Sequence, residues 1–221
     1  MRRIVGAAFL SLDGVMQAPG GPTEDPTGGF EYGGWLPAFF DEAAGEAIGA
    51  LFDRPFDLLL GRRTYDIFAA FWPQAGDDQK AIRDPFNACT KYVLTGDDKP
   101  LAWQSSVRVA AIDDLRAVRD GEGPDLVIQG SSTLYPQLLA AGLLDRLTLM
   151  TFPLVLGNGK RLFGDGTPAK TMTMIEQRVT PSGAVIATYE PAGLVKTQAI
   201  AEPATNAAER QRQEAMADGS W

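Results

Sequence analysis

No histidine occurs among the 221 residues, and there is only one cysteine, Cys89. These absences exclude His-based catalytic triads, His/Cys zinc sites and intrachain disulfides together. No metal site is expected. Any chemistry must come from carboxylates, hydroxyls or a borrowed cofactor. Basic residues are also scarce, 20 against 28 acidic, and the net charge of -8 argues against a nucleic-acid surface. From residue 4 to residue 53 there is not one Lys or Arg. No run approaches the roughly 20 apolar residues that a membrane-spanning helix needs, so no membrane partner is expected. Arg2 and Arg3 precede an apolar run that Asp13 and Gly14 cut to about seven residues, the bottom of the signal-peptide range, so a first strand is the better reading. A cytoplasmic, reducing location fits one lone cysteine.

What is present is ordinary globular composition, 45% hydrophobic and 22% charged, enough for one sizeable core. Short β-forming apolar runs alternate with helical patterns, which is the signature of an α/β protein with a largely parallel sheet. Strands are expected at 4–10, 56–60, 92–95, 107–110, 126–129 and 147–151. A final pair, 170–179 and 184–189, flanks Thr180, Pro181, Ser182 and Gly183 and reads as an antiparallel hairpin. Helices are expected at 62–71, 112–119 and 131–141, with a weaker one at 77–88. Another starts near Pro37 and carries Phe39, Phe40, Ala43, Ala47, Ile48, Leu51 and Phe52 at helical spacing. Residues 1–191 read as one domain. Residues 192–221 are polar and Ala-rich, and read either as a solvated tail or helix or as an arm anchored on a partner by Trp221.

Three strand ends run into small or hydroxyl residues: Gly61, Arg62, Arg63 and Thr64; Thr95 and Gly96; and Gln129, Gly130, Ser131, Ser132 and Thr133. In a parallel sheet all three lie at the carboxyl edge, where ligands bind open α/β folds. Glycine lets a backbone approach a phosphate, hydroxyls and helix-start amides favour anions, and two arginines add charge. The same pattern also describes an ordinary strand-to-helix turn. The usual Rossmann and P-loop fingerprints are absent.

Four motifs occur in register: Ser11-Leu12-Asp13-Gly14; Gly61-Arg62-Arg63-Thr64-Tyr65; Val127-Ile128-Gln129-Gly130-Ser131-Ser132-Thr133-Leu134-Tyr135; and Pro153-Leu154-Val155-Leu156-Gly157-Asn158-Gly159. Through them the chain resembles the dihydrofolate reductase-like superfamily, and within it stand-alone proteins related to the reductase domain of riboflavin biosynthesis (RibD C-terminal-like). The resemblance implies a three-layer α/β/α fold with a mostly parallel, twisted sheet of about eight strands. It further implies an NADPH-dependent oxidoreductase, a homodimer, with cofactor contacts at Gly61, Arg62, Arg63 and Thr64, at Thr95 and Gly96, and at Gln129, Gly130, Ser131, Ser132 and Thr133. Ala7 and Leu12 would lie against the nicotinamide.

Asp13, in a loop that the resemblance places beside the nicotinamide, is the candidate catalytic acid or substrate-orienting group; Asp-Gly is equally an ordinary turn. Trp35 and Phe39 are candidate substrate contacts. The Gly- and Pro-rich loop 17–34 reads as a surface excursion or as a lid whose aromatics stack on a flat substrate. Leu36-Pro37-Ala38 is followed by Phe39, where dihydrofolate reductases carry a carboxylate, so dihydrofolate is not the expected substrate. Few cations outside Lys160 and Arg161 are available for a phosphorylated substrate, which favours a neutral or cationic pterin- or pyrimidine-like one. The alternative is an NADP(H)-binding or dimeric interaction protein without turnover.

Overall fold

The computed structural model describes residues 1–200 and 206–220. Eight strands form one sheet in the order β4-β3-β2-β5-β1-β6-β8-β7. They are β1 (Ile4–Leu10), β2 (Phe56–Gly61), β3 (Lys91–Leu94), β4 (Ser106–Val109), β5 (Asp125–Gln129), β6 (Arg146–Thr151), β7 (Met172–Val179) and β8 (Val185–Pro191). The first six pair in parallel, whereas β8 runs antiparallel to both β6 and β7 as the expected hairpin.

Side-chain alternation explains the layers. On β1, Ile4 and Ala8 face a cluster that also holds Leu59, Leu126 and Ile128, covered by Leu115 of α4 (Ile112–Asp120) and Leu138 of α5 (Leu134–Ala141). Val5 and Ala7 face the other way, toward α1 (Glu42–Gly49), α2 (Arg62–Phe71) and α3 (Lys80–Ala88). Every residue of β2 is buried, as a central parallel strand covered on both faces requires. At Gly6 an added Cβ would lie 2.6 Å from the Tyr135 ring, so glycine is what lets α5 sit close to β1. The Tyr135 hydroxyl donates to the Ala7 carbonyl at 2.9 Å and fixes that approach.

Two expected helices are shorter than their patterns. Asp41 takes the amide of Ala44 on its side chain, so α1 begins only at Glu42, and Phe39, in a turn, and Phe40 precede it outside the helix. Ser131 adopts φ 72, a left-handed conformation that a helix cannot contain, so α5 begins at Leu134. Beyond Pro191 the described residues form one helix, α6 (Ala207–Asp218), none of whose residues is buried. Trp221, the expected anchor, and residues 201–205 of the tail lie outside the described residues.

Candidate functional site

Strands β3, β2, β5 and β1 are neighbours, with Gly61 beside Leu94, Leu58 beside Val127, and Ala7 beside Gln129. Their carboxyl ends therefore form one edge, as the three turn motifs require. Ser131 ties two of the turns together. Its Oγ accepts the Gly61 amide at 2.9 Å and donates to Thr64 Oγ1 at 2.7 Å. The left-handed backbone of Ser131 places that hydroxyl, and Gly61 has no room for a side chain because a Cβ would lie 2.9 Å from it. Gly130 has φ +90, and a Cβ there would crowd the Thr64 methyl at 3.3 Å. No side chain caps the start of α2 or of α5, and neither first turn carries an acid. The start of α2 thus turns uncapped amides toward this edge, whereas at α5 the Leu134 amide donates to the Ser131 carbonyl at 3.0 Å and Pro136 has none.

In front of this edge lies a cavity of about 1020 Å³. Gly61, Arg63, Thr64 and residues 129–133 line one part of it, and Ala7, Ala8 and Phe9 of β1 contribute another wall. The rest is built by Ile67, Phe68, Phe71 and Trp72, which follow Arg63 and Thr64 at helical spacing, by Gln79, and by residues of the loop from Met16 to Asp25 with Leu36. Two of the three buried side-chain polar atoms without a hydrogen-bond partner among the described residues, Gln129 Oε1 and Trp72 Nε1, belong to this wall.

A polar network holds the loop in place. Lys160 Nζ binds the Asp25 carboxylate and donates to Thr27 Oγ1 at 2.6 Å, while its amide donates to Gln17 Oε1 at 2.9 Å. Gln17 Nε2 in turn donates to the carbonyls of Asp25 and Thr27, and Trp35 Nε1 donates to the Gln17 carbonyl at 2.9 Å. Burial opposes the charge on Asp25, but the bonds from Lys160 and Thr27 prevail and hold its carboxyl below the usual range. Glu24 behaves oppositely: burial raises it, against the Gly20 and Gly21 amides that favour the anion.

Of the expected site residues, the structure brings Ala7, Gly61, Arg63, Thr64, Gln129, Gly130, Ser131, Ser132 and Thr133 onto the cavity wall. It does not bring Asp13 there. The Asp13 carboxylate instead accepts from Ser11 Oγ at 2.7 Å and from the amides of Leu156 and Gly157 at 3.1 and 2.9 Å. The Ser11 bond, more than offsetting desolvation and aided by those amides, draws its pKa down to about 2. Held ionised in this way and off the cavity wall, Asp13 ties the turn after β1 to the turn after β6. Leu12 is 64% exposed and off the cavity wall, its amide bound to the Leu154 carbonyl.

Trp35 and Phe39 also lie off the wall, packed in the cluster around Phe152, where Trp35 supports Gln17 from behind. Arg62 is off the cavity wall and is bound by Asp66, Asp97 and the Lys99 carbonyl. Arg63 has no ion-pair partner among the described residues. Thr95 is buried, with its hydroxyl accepting the Asp97 amide at 3.3 Å, and neither it nor Gly96 reaches the cavity. Gln17, Glu24 and Asp25 of the wall belong to the loop 17–34 that the sequence offered as a lid, but the sequence reading missed Phe68, Phe71 and Trp72, although the helical spacing from Arg63 to Phe71 marks one face.

A family model described as the RibD C-terminal domain matches residues 2–187. The Bacillus subtilis (strain 168) protein YyaP, described as uncharacterized, is 24% identical over 195 residues, which are 85% of this chain and 94% of YyaP. Among solved structures, a candidate riboflavin biosynthesis protein from Shewanella sp. PV-4 superposes with a TM-score of 0.57 at 21% identity, covering 86% of this chain and 99% of its own. A pyrimidine reductase-like protein from Corynebacterium diphtheriae gives 0.55 at 14%, covering 86% and 92%. Dihydrofolate reductase from Enterococcus faecalis, in complex with NADP(H), gives 0.52 at 16%, covering 86% and 96%. Family match and shared fold agree with the strand-end motifs: the chain belongs to the RibD C-terminal domain family and has its reductase-type fold.

Proposed function

We propose that this chain is an NADPH-dependent reductase of a small heterocyclic or conjugated substrate other than dihydrofolate. The observation that carries the reading is that Gly61, Arg63 and Thr64 of one turn and residues 129–133 of the other, at the carboxyl edge of adjoining strands, line one cavity together. The residues present fit a dinucleotide. Gly130 allows close backbone approach, the uncapped start of α2 offers amides to a pyrophosphate, and Arg63 is a cation with no ion-pair partner among the described residues. At about 1020 Å³ the cavity lies at the upper end of ligand sites, roughly 300–1,000 Å³. The Enterococcus protein's complex with NADP(H) supports the choice of nucleotide.

When bound, the cofactor supplies a hydride. The chain's own part is to orient and enclose. Ser131 holds the two turns at fixed spacing, Arg63 attracts the nucleotide's phosphate charge, and the loop pinned by Lys160 and Asp25 shields the site from water. The test is loss of reduced-nicotinamide absorbance with a panel of reducible pyrimidines, pterins and conjugated carbonyls. Substrate-dependent loss is expected; tight NADPH binding with no turnover on any panel member would favour a binding protein instead.

A further inference from the structure

The cavity wall carries five charged residues: Glu24, Asp25, Arg63, Asp66 and Lys160. Asp25 and Lys160 neutralise each other, and Asp66 is paired with Arg62. What remains is Arg63, beside the Gly61 turn, and Glu24, on the loop. Glu24 Oε2 accepts the amides of Gly20 at 2.7 Å and Gly21 at 3.2 Å, while Oε1 makes no hydrogen bond among the described residues. Half the acceptor capacity of this half-buried carboxylate is therefore open to a donor on a ligand.

The wall also presents Phe68, Phe71 and Trp72, and Phe71 is 53% exposed, a large apolar ring left uncovered. Aromatic faces together with an unpaired carboxylate are what a flat cation needs. The loop that carries Glu24 is itself fixed: Gly34 and Leu36 donate to the carbonyls of Ala18 and Pro19. Gly33 fits only as glycine, since a Cβ would lie 2.7 Å from the Pro22 carbonyl.

We propose that Glu24 is the residue that selects the substrate, favouring a flat ring with a cationic or N–H-donating edge, such as an amidine- or amine-bearing heteroaromatic, over an anionic one. This rests on the reductase reading, which gives the turn-lined part of the cavity to the cofactor. Glu24→Gln is a clean probe, because the new amide oxygen can still accept from Gly20 and Gly21 while the charge is gone.

The experiment titrates benzamidine, benzamide and benzoate, one flat skeleton carrying positive, zero and negative charge, into protein saturated with NADP+, followed by ligand-observed NMR. Wild type is expected to bind benzamidine at least tenfold more tightly than benzamide, with benzoate weakest. Glu24→Gln should bring benzamidine to the level of benzamide and leave NADP+ affinity unchanged, and Arg63→Ala should keep the wild-type ranking. Equal affinities in wild type, benzoate binding tightest, no fragment binding, or a ranking that survives Glu24→Gln would each overturn the proposal. Failure of NADP+ to bind would instead sink the reductase reading, and the fragment ranking measured without it would still decide the charge preference.

Discussion

Replacing Asp13 by Asn separates a structural tie from a catalytic acid. In the folded chain the Asp13 carboxylate holds the Ser11 hydroxyl and the amides of Leu156 and Gly157, which joins the turn after β1 to the turn that follows β6. Its pKa falls from 3.8 to about 2 on folding. A shift of about 1.8 units corresponds to about 2.4 kcal/mol, which water reduces because the side chain is 20% exposed, so about 1.5 kcal/mol is expected. The folded pKa is depressed, so this stability is fully present above about pH 4 and is lost as pH falls toward 2. Urea titrations of wild type and Asp13→Asn should therefore differ by about 1.5 kcal/mol at pH 7, with the melting temperature lower by about 3–6 °C. The gap should narrow as pH drops below about 4. A gap independent of pH, or no gap at pH 7, would refute the reasoning. NADPH binding lost without loss of stability would return Asp13 to the site.

Three further changes probe the frame around the cavity. Gly6→Ala places a methyl 2.6 Å from the Tyr135 ring and should cost about 1–3 kcal/mol in thermal unfolding, whereas wild-type stability would show that α5 gives way freely. Ser131→Ala leaves the Gly61 amide without its partner and uncouples the two turns; about 1–3 kcal/mol of stability and a weaker NADPH titration are expected together. Arg62→Ala breaks the pairs with Asp66 and Asp97 and should lower the melting temperature only slightly, yet leave the preference for NADPH over NADH in place, because Arg62 is held by Asp66, Asp97 and the Lys99 carbonyl and is not part of the cavity wall.

The parts of this molecule legible in the sequence are those fixed by neighbours along the chain. β1 spans Ile4–Leu10 and α2 spans Arg62–Phe71, as their patterns predict, because each has an unbroken period and a clear change of pattern at its ends. The turn motifs at Gly61 and Gly130 were readable for the same reason. What the pattern hides is decided at long range. Asp13 reads as a free carboxylate until the amides of Leu156 and Gly157, 143 and 144 residues later, close around it. Lys160 reads as an available cation until it meets Asp25, 135 residues earlier. Arg62 and Arg63 look alike in the motif, and what separates them is that Asp66, four residues on, and Asp97, 35 residues on, both claim Arg62. The outer wall of the cavity joins a glycine-rich loop to the far end of α2, a meeting that neither segment announces alone.

The central claim is that the turn-lined cavity binds a reduced nicotinamide nucleotide and that Arg63 reads its extra phosphate. Titrating NADPH and NADH into the protein, followed by fluorescence of its four tryptophans, tests this directly. NADPH should bind at least tenfold more tightly than NADH, and Arg63→Ala should remove that preference while leaving NADH unchanged. Binding of neither nucleotide would contradict the account, and a preference that persists in Arg63→Ala would contradict the role given to that residue.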